Sequence, residues 1–495
     1  MQKPNSIGAK VNGRLGALIA IPLVVLSIVA VTVLGATEIR EFIQEYLSVF
    51  MFAALGMLLF SGYPVAFILG GLALLFGLIG YFLGTFSLIE FFNFVPRIWG
   101  QAAENLVLVA LPTFVFMGVM MERSGVAHDM LYCSQVLLRR VPGALALAVT
   151  IMGTILAAMT GIIGASVTMM TAMALPTMLK QKYSHALATG CIAASGTLGI
   201  LIPPSIMLII MADLLSISVG YLFMSALGPG LCLAALYLLY ITTISALRPK
   251  VAPPLPHELL YVPRRELPPL MLKSFLPPAF LIGLIKGSIL FGWATPSEAG
   301  AVGAFGAIVL AAANRRLDWG LLKGVSHTAA LTIGMIFFIV ISATCFAYVF
   351  RSLGGDDVIE GLIFALGLDS WGLLFLILGI VFVLGFFLDW IEITLIILPV
   401  FAPMVAGLDF GDHVPENRMI YWFTVLIAIN LQTSFLTPPF GFALFYLKGI
   451  APKEVKIASI YRGIIPFVLM QLTMLIAVLA YPQISLWLPT SVYGG

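Results

Sequence analysis

The chain has 495 residues, 61% of them hydrophobic and 9% charged, with a formal net charge of +3 and a mean hydropathy of +1.10. A soluble domain carries about a quarter charged residues, so this composition excludes a hydrated surface over most of the molecule and makes lipid the main solvent. The apolar runs far exceed the roughly 10-residue alternating strands of a membrane barrel, so the spanning elements are helices, and the small charge carries no sign of nucleic-acid binding.

At the N-terminus Lys3, Lys10 and Arg14 precede an apolar run from Leu15 to Gly35. It is long and no convincing small-residue cleavage site follows it, so it reads as a retained first helix rather than a signal peptide. Further spans are predicted near 47–61, 64–84, 103–121, 186–212, 221–246, 274–292, 299–313, 325–350, 419–447 and 463–488. Two stretches, 143–179 and 371–405, are about twice the length of one span and are interrupted in the middle. Each is either two spans or one hairpin that enters and returns.

Basic loops set the orientation. With the N-terminus inside, Arg139, Arg140, Lys180 and Lys182 flank the first interrupted stretch on the cytoplasmic side. Arg248, Lys250, Arg264, Arg265, Lys273, Arg315, Arg316, Lys323, Lys448, Lys453, Lys456 and Arg462 also fall inside, while Asp356, Asp357, Glu360, Asp409, Asp412 and Glu416 fall outside. A hairpin replaces a pair of spans without changing parity, so the charges leave re-entrance open. The proline-rich stretch 249–269 reads as a cytoplasmic linker. Cys133, Cys191, Cys232 and Cys345 are scattered, without a CxxC, and read as ordinary buried side chains.

The two halves repeat. GTILAAMTGIIGASVTMMTAMALPTM from Gly153 precedes a span containing ASGTLGILIPPSIMLII; GIVFVLGFFLDWIEITLIILPVFAPM from Gly379 precedes a span containing LQTSFLTPPFGFALFYL. Each half thus gives an interrupted hairpin ending at a proline (Pro176, Pro399), then a span broken at Pro203–Pro204 or Pro438–Pro439. Amphipathic stretches 125–140 and 355–368 precede the hairpins. By charge, the first hairpin opens inward and the second outward, the pattern of an inverted-repeat secondary transporter. A Pro-Pro pair removes amide donors and frees upstream carbonyls that hydrocarbon cannot satisfy, so such breaks persist where protein, water or an ion replaces the lost partners. Carbonyls beside hydroxyls suit Na⁺, and half-helix N-termini suit an anion.

Among polar candidates, Asp389 and Glu392 fall in the turn region of the second hairpin, where a carboxylate is either ion-linked or merely solvated. Thr295, Pro296 and Glu298 read as a capping box that starts a helix. Asp213 reads as a boundary charge, Asn430 as a partner for freed backbone, Thr171 as a packing contact, and Arg351 as a snorkelling anchor. No HExxH, GxSxG in context, protease-like pair of intramembrane aspartates or GxxxxGK[ST] is present, which argues against an enzyme or a nucleotide-driven pump. A channel has no need of matched opposite hairpins.

On GYPVAFILGG (62–71), MTGIIGASVTMMTAMALP (159–176), ATGCIAASGTLGILIPPSIMLI (188–209), ALGPGL (226–231), ATPSEAGAVGA (294–304), LGFFLDWIEITLIILPVFAP (384–403) and TPPFGFALF (437–445), the chain resembles the large membrane subunit of tripartite ATP-independent periplasmic (TRAP) transporters. The resemblance implies an all-α polytopic membrane protein of the bacterial inner membrane, with two re-entrant hairpins, two broken helices and an elevator-type mechanism. It implies Na⁺ as coupling ion with no other cofactor, a small four-helix membrane subunit and a periplasmic substrate-binding protein as partners, and a small organic anion, typically a carboxylate, as solute. The closest rival is a stand-alone ion-coupled carboxylate transporter of a related fold.

The expected organisation is an extra N-terminal helix (1–45), scaffold helices (46–142), a first transport repeat (143–248), the linker (249–273), second-half scaffold helices (274–354) and a second repeat with the last span (355–495). Carried over by matching positions, a first sodium site uses Thr160, Gly161, Gly199, Ile202 and Pro203, and a second uses Gly385, Thr437, Pro438 and Gly441. Gly164, Ser166, Ser205, Asp389 and Asn430 are expected to border the solute.

Overall fold

A computed structural model describes residues 37–59, 61–160, 163–254, 263–438 and 441–494; every regular element among them is a helix. The predicted span 15–36 lies outside these residues. In chain order the α-helices of nine residues or more are α1 (Thr37–Glu45), α2 (Leu47–Leu59), α3 (Val65–Leu83), α4 (Ala110–Arg123), α5 (Val126–Leu138), α6 (Ala144–Thr160) and α7 (Ile163–Lys180). There follow α8 (His185–Thr197), α9 (Ile206–Leu214), α10 (Val219–Leu247), α11 (Leu276–Leu290), α12 (Pro296–Ala313), α13 (Trp319–Ser352) and α14 (Gly355–Leu366). The chain ends with α15 (Ser370–Leu384), α16 (Trp390–Ala406), α17 (Glu416–Leu436), α18 (Phe442–Ile450), α19 (Ile457–Ala480) and α20 (Gln483–Tyr493). Among the described residues, seven helical stretches are long and apolar enough to cross a bilayer.

Two compact units form. The smaller takes the described residues up to Asn105 with Met335–Leu373 and Leu395–Met404. Tyr348 is its polar joint: its hydroxyl accepts from Asn93 Nδ2 at 2.8 Å, and the Arg97 guanidinium lies 4.4 Å from its ring centroid. The larger unit holds Leu106–Gly334, Leu374–Thr394 and the chain from Val405. There Arg316 pairs with Asp129 at 3.0 Å and donates to Ser124 O at 3.0 Å, tying the start of α5 to the α12–α13 loop.

The halves match in local detail. α4 ends in Arg123–Ser124 before Gly125 (φ 72°), and α13 ends in Arg351–Ser352 before Gly354 (φ 77°). Both glycines turn the chain in the left-handed region, where a Cβ is costly, and both lead into the short helices α5 and α14. Each half then has a helix–turn–helix (α6–α7, α15–α16) and a helix in two pieces (α8/α9, α17/α18).

Proline position explains where element boundaries depart from expectation. Helix continues past Pro176 to Lys180 and past Pro399 to Ala406, since a proline deletes one bond to the residue four back and a membrane helix tolerates that loss. Helical backbone begins at Leu267, inside the expected linker, because Pro268 and Pro269 occupy a first turn whose amides need no partner. The predicted span 463–488 divides at Tyr481, before Pro482. Thr295 and Glu298 do form the capping box: the Thr295 amide donates to Glu298 Oε2 at 2.8 Å, and the Glu298 amide donates to Thr295 Oγ1 at 3.3 Å.

The two interrupted helices run through the interior. Every residue from Leu187 to Ala212 is buried, as is every residue from Trp422 to Leu436. The α17 span is 89% buried, against 22–56% for the other six candidate spans, so it is shielded from lipid as a broken helix requires.

Candidate functional site

The first break follows from missing donors. After α8 one 3-10 turn (Leu198–Ile200) carries Gly199, and the Leu201 and Ile202 amides both turn back to Leu198 O. Pro203 and Pro204 carry no amide hydrogen. Among the described residues, no backbone amide donates to the carbonyls of Leu201, Ile202, Pro203 or Pro204. Ser205 restarts the helix: its Oγ accepts from the Leu208 amide at 3.5 Å. A Cβ on Gly196, just before the break, would meet the Val167 side chain at 2.6 Å and its backbone at 3.4 Å, so α7 lies close against α8. Of the first tip, Thr160 closes α6, Gly161 lies outside the described residues, and Ser166 is buried in α7.

The second break is tighter. The Thr437 amide bonds Ser434 O and the Gly441 amide bonds Thr437 O at 3.0 Å; Pro438 stands between them, and Pro439 lies outside the described residues. A Cβ on Gly441 would sit 2.6 Å from Phe435 O, so the second piece starts directly against the end of the first. A Cβ on Gly385 would overlap Ser434 Oγ, which sets the second tip onto the last turn before the break. Gly385, Ser434, Thr437 and Gly441 are thereby brought together. Thr437 Oγ1 donates to Thr433 O at 2.8 Å and Ser434 Oγ to Leu431 O at 2.8 Å, leaving both hydroxyl oxygens with lone pairs.

The two carboxylates start α16. Asp389 Oδ1 accepts from the Trp390 amide at 2.8 Å, and Glu392 Oε2 reaches back to accept from the Asp389 amide at 3.2 Å, so the Glu392 half of a capping box forms while the aspartate holds the next residue's amide. Asn430 is committed elsewhere: its Nδ2 donates to Leu378 O on α15 at 2.7 Å. Arg351, expected as an anchor at the membrane surface, instead donates to Pro399 O and sits 3.6 Å from Asp356. Position 403 is also proline, so no amide there can serve the Pro399 carbonyl, and the guanidinium takes its place.

Two contacts join the halves, and neither is visible in a single sequence. Gln432, in α17 before the second break, donates to Thr197 Oγ1 at 3.5 Å, and Thr197 ends α8 before the first. Gln432 is fully buried and its Oε1 has no partner among the described residues. On α18, Tyr446 lies over the first tip, where a Cβ on Gly164 would meet its ring at 2.8 Å. The same Tyr446 is within electrostatic reach of Asp389 and Glu392 at the second tip. One aromatic residue therefore lies over Gly164 at the first hairpin and within electrostatic reach of the two carboxylates at the second.

The site offers carbonyl and hydroxyl oxygens at two breaks, a pair of carboxylates and a phenol. Among the described residues, no group of three His, Cys, Asp or Glu forms a metal-binding cluster.

Comparison with known proteins agrees with this architecture. Residues 51–484 match the family model of the tripartite ATP-independent periplasmic transporter, DctM component. The C4-dicarboxylate TRAP transporter large permease protein DctM of Pseudomonas aeruginosa is 29% identical over 79% of this chain and 87% of its own length. The isethionate TRAP transporter permease protein DctMQ of Oleidesulfovibrio alaskensis is 26% identical over 90% of this chain and 67% of its own length. Among solved structures, the YdaH transporter of Alcanivorax borkumensis shares the fold at a TM-score of 0.53 and 14% identity, covering 81% of this chain and 89% of that one. The chain is a multi-pass membrane protein belonging to the DctM family of TRAP transporter large permease components, a transporter family rather than an enzyme family.

Proposed function

We propose that this chain is the membrane pathway of a Na⁺-coupled importer for a small organic anion, in the bacterial inner membrane. The solute comes from a periplasmic binding protein, and a separate four-helix membrane subunit braces the chain. The observation that carries this reading is the pair of buried helices, each broken at a proline pair beside a hairpin tip and joined through Gln432 and Thr197. Broken backbone in a membrane interior needs replacement partners, and an ion with its solute supplies them. Hydroxyl and carbonyl oxygens around Gly385, Ser434, Thr437 and Gly441 suit a hard monovalent cation. Gly199, Ile202 and Pro203 with the tip at Thr160 and Gly161 form the counterpart. The relatives above carry a C4-dicarboxylate and isethionate in their names, both small organic anions. An elevator movement carries the site between the two faces.

The test is uptake into proteoliposomes from a defined mixture of C2–C6 mono- and dicarboxylates, read by mass spectrometry of the lumen. Accumulation is expected only with the small subunit, the binding protein and an inward Na⁺ gradient. Uptake by this chain alone, or uptake driven by a proton gradient in place of Na⁺, defeats the assignment.

A further inference from the structure

We infer that Tyr446 is a solute-contacting, selectivity-determining residue, whose phenol donates a hydrogen bond to the transported anion between the two hairpin tips; this rests on the anion-import reading above. Three observations converge on it. The ring is held, packed edge-on against Phe442 at 5.1 Å and 84°, and seated on Gly164, where any side chain would displace it. Its oxygen carries no hydrogen bond among the described residues, and the side chain stays 37% exposed while the neighbouring Leu447 is fully buried. It is also within electrostatic reach of Asp389 and Glu392, each of which already accepts a backbone amide at the start of α16.

The chemistry follows from what surrounds it. A carboxylate solute near Asp389 and Glu392 is repelled, so it needs a hydrogen-bond donor close by to offset that repulsion. A neutral phenol supplies that donor at small desolvation cost, whereas a buried lysine or arginine would be locked to the two protein carboxylates and lost to the solute. A phenol donor also discriminates by geometry. A solute whose acceptor misses the hydroxyl forgoes that bond, and one hydrogen bond of this kind decides about a two- to tenfold ratio.

The experiment uses the assembled complex in proteoliposomes with the same mixture of C2–C6 carboxylates. Tyr446→Phe keeps the ring over Gly164 and removes only the hydroxyl. The expected result is a two- to tenfold loss of uptake for the solutes best transported by the unaltered complex, a changed ratio among those solutes, and an unchanged melting temperature. A uniform loss across all solutes, or no loss, overturns the inference while leaving anion import standing. If the unaltered complex accumulates no carboxylate at all, the import reading falls and this inference with it. Tyr446→Ala, which also strips the ring from Gly164, is expected to lower both uptake and melting temperature.

Discussion

Gln432 Nε2 meets Thr197 Oγ1 at 3.5 Å, across 235 residues of chain, at the point where each broken helix loses its regular bonding. The bond is long, and the other end of the same side chain, Oε1, is buried without a partner among the described residues. An orphaned buried acceptor costs about 1–3 kcal/mol, more than so long a bond returns. A residue held at a net loss in the most buried of the seven candidate spans among the described residues serves something other than stability. Gln432→Leu is therefore expected to leave the melting temperature unchanged or raised while uptake falls at least tenfold. Loss of stability with normal uptake per folded molecule would reverse this reading.

Gly385 and Ser434 fit because neither has room for another atom. Gly385→Ala places a methyl on Ser434 Oγ, an overlap that forces the second tip off α17 and costs about 1–3 kcal/mol. Ser434→Gly should restore the space. The double variant is expected to recover most of the lost melting temperature, with a coupling of at least about 1 kcal/mol in a double-mutant cycle. If Gly385→Ala and Ser434→Gly act additively, the two residues do not define this contact.

Asp389 separates capping from charge. At the start of α16 its carboxylate accepts the Trp390 amide, and an asparagine carbonyl oxygen can accept the same amide whereas alanine offers no acceptor. Asp389→Ala is expected to destabilise the protein by about 1 kcal/mol and Asp389→Asn to have little effect on unfolding. Equal destabilisation by both variants would place the stabilising interaction in the negative charge.

The breaks themselves were legible because a Pro-Pro pair inside an apolar run has a single local consequence, loss of two amide donors at a known position. The capping box at Thr295 and Glu298 was legible for the same reason: its partners are three residues apart. Tyr446 over Gly164 and Gly385 against Ser434 were not, since each joins elements whose relative placement no local pattern encodes. The spacing of Asp389 and Glu392 is local in the same way as the capping box, since Glu392 reaches back three residues to the Asp389 amide. Helix ends near Leu267 and Ala480 shifted because prolines are harmless in a first turn and terminal elsewhere, and sequence alone does not say which position a proline holds.

Arg351 gives the sharpest chemical test, because its partner's need is set by sequence. The Pro399 carbonyl would ordinarily accept from the amide four residues on, and Pro403 has none. Arg351 donates there instead. Arg351→Met removes that donor and leaves a helix carbonyl unpaired, at a cost of about 1–3 kcal/mol. Pro403→Ala returns an amide at the position the helix would use. The pair Arg351→Met with Pro403→Ala is expected to regain the melting temperature lost by Arg351→Met alone, even though the 3.6 Å contact with Asp356 stays broken. That contact is solvent-exposed and worth little on its own. Failure of the alanine to rescue would show that the ion pair with Asp356, rather than the orphaned carbonyl, is what the arginine serves.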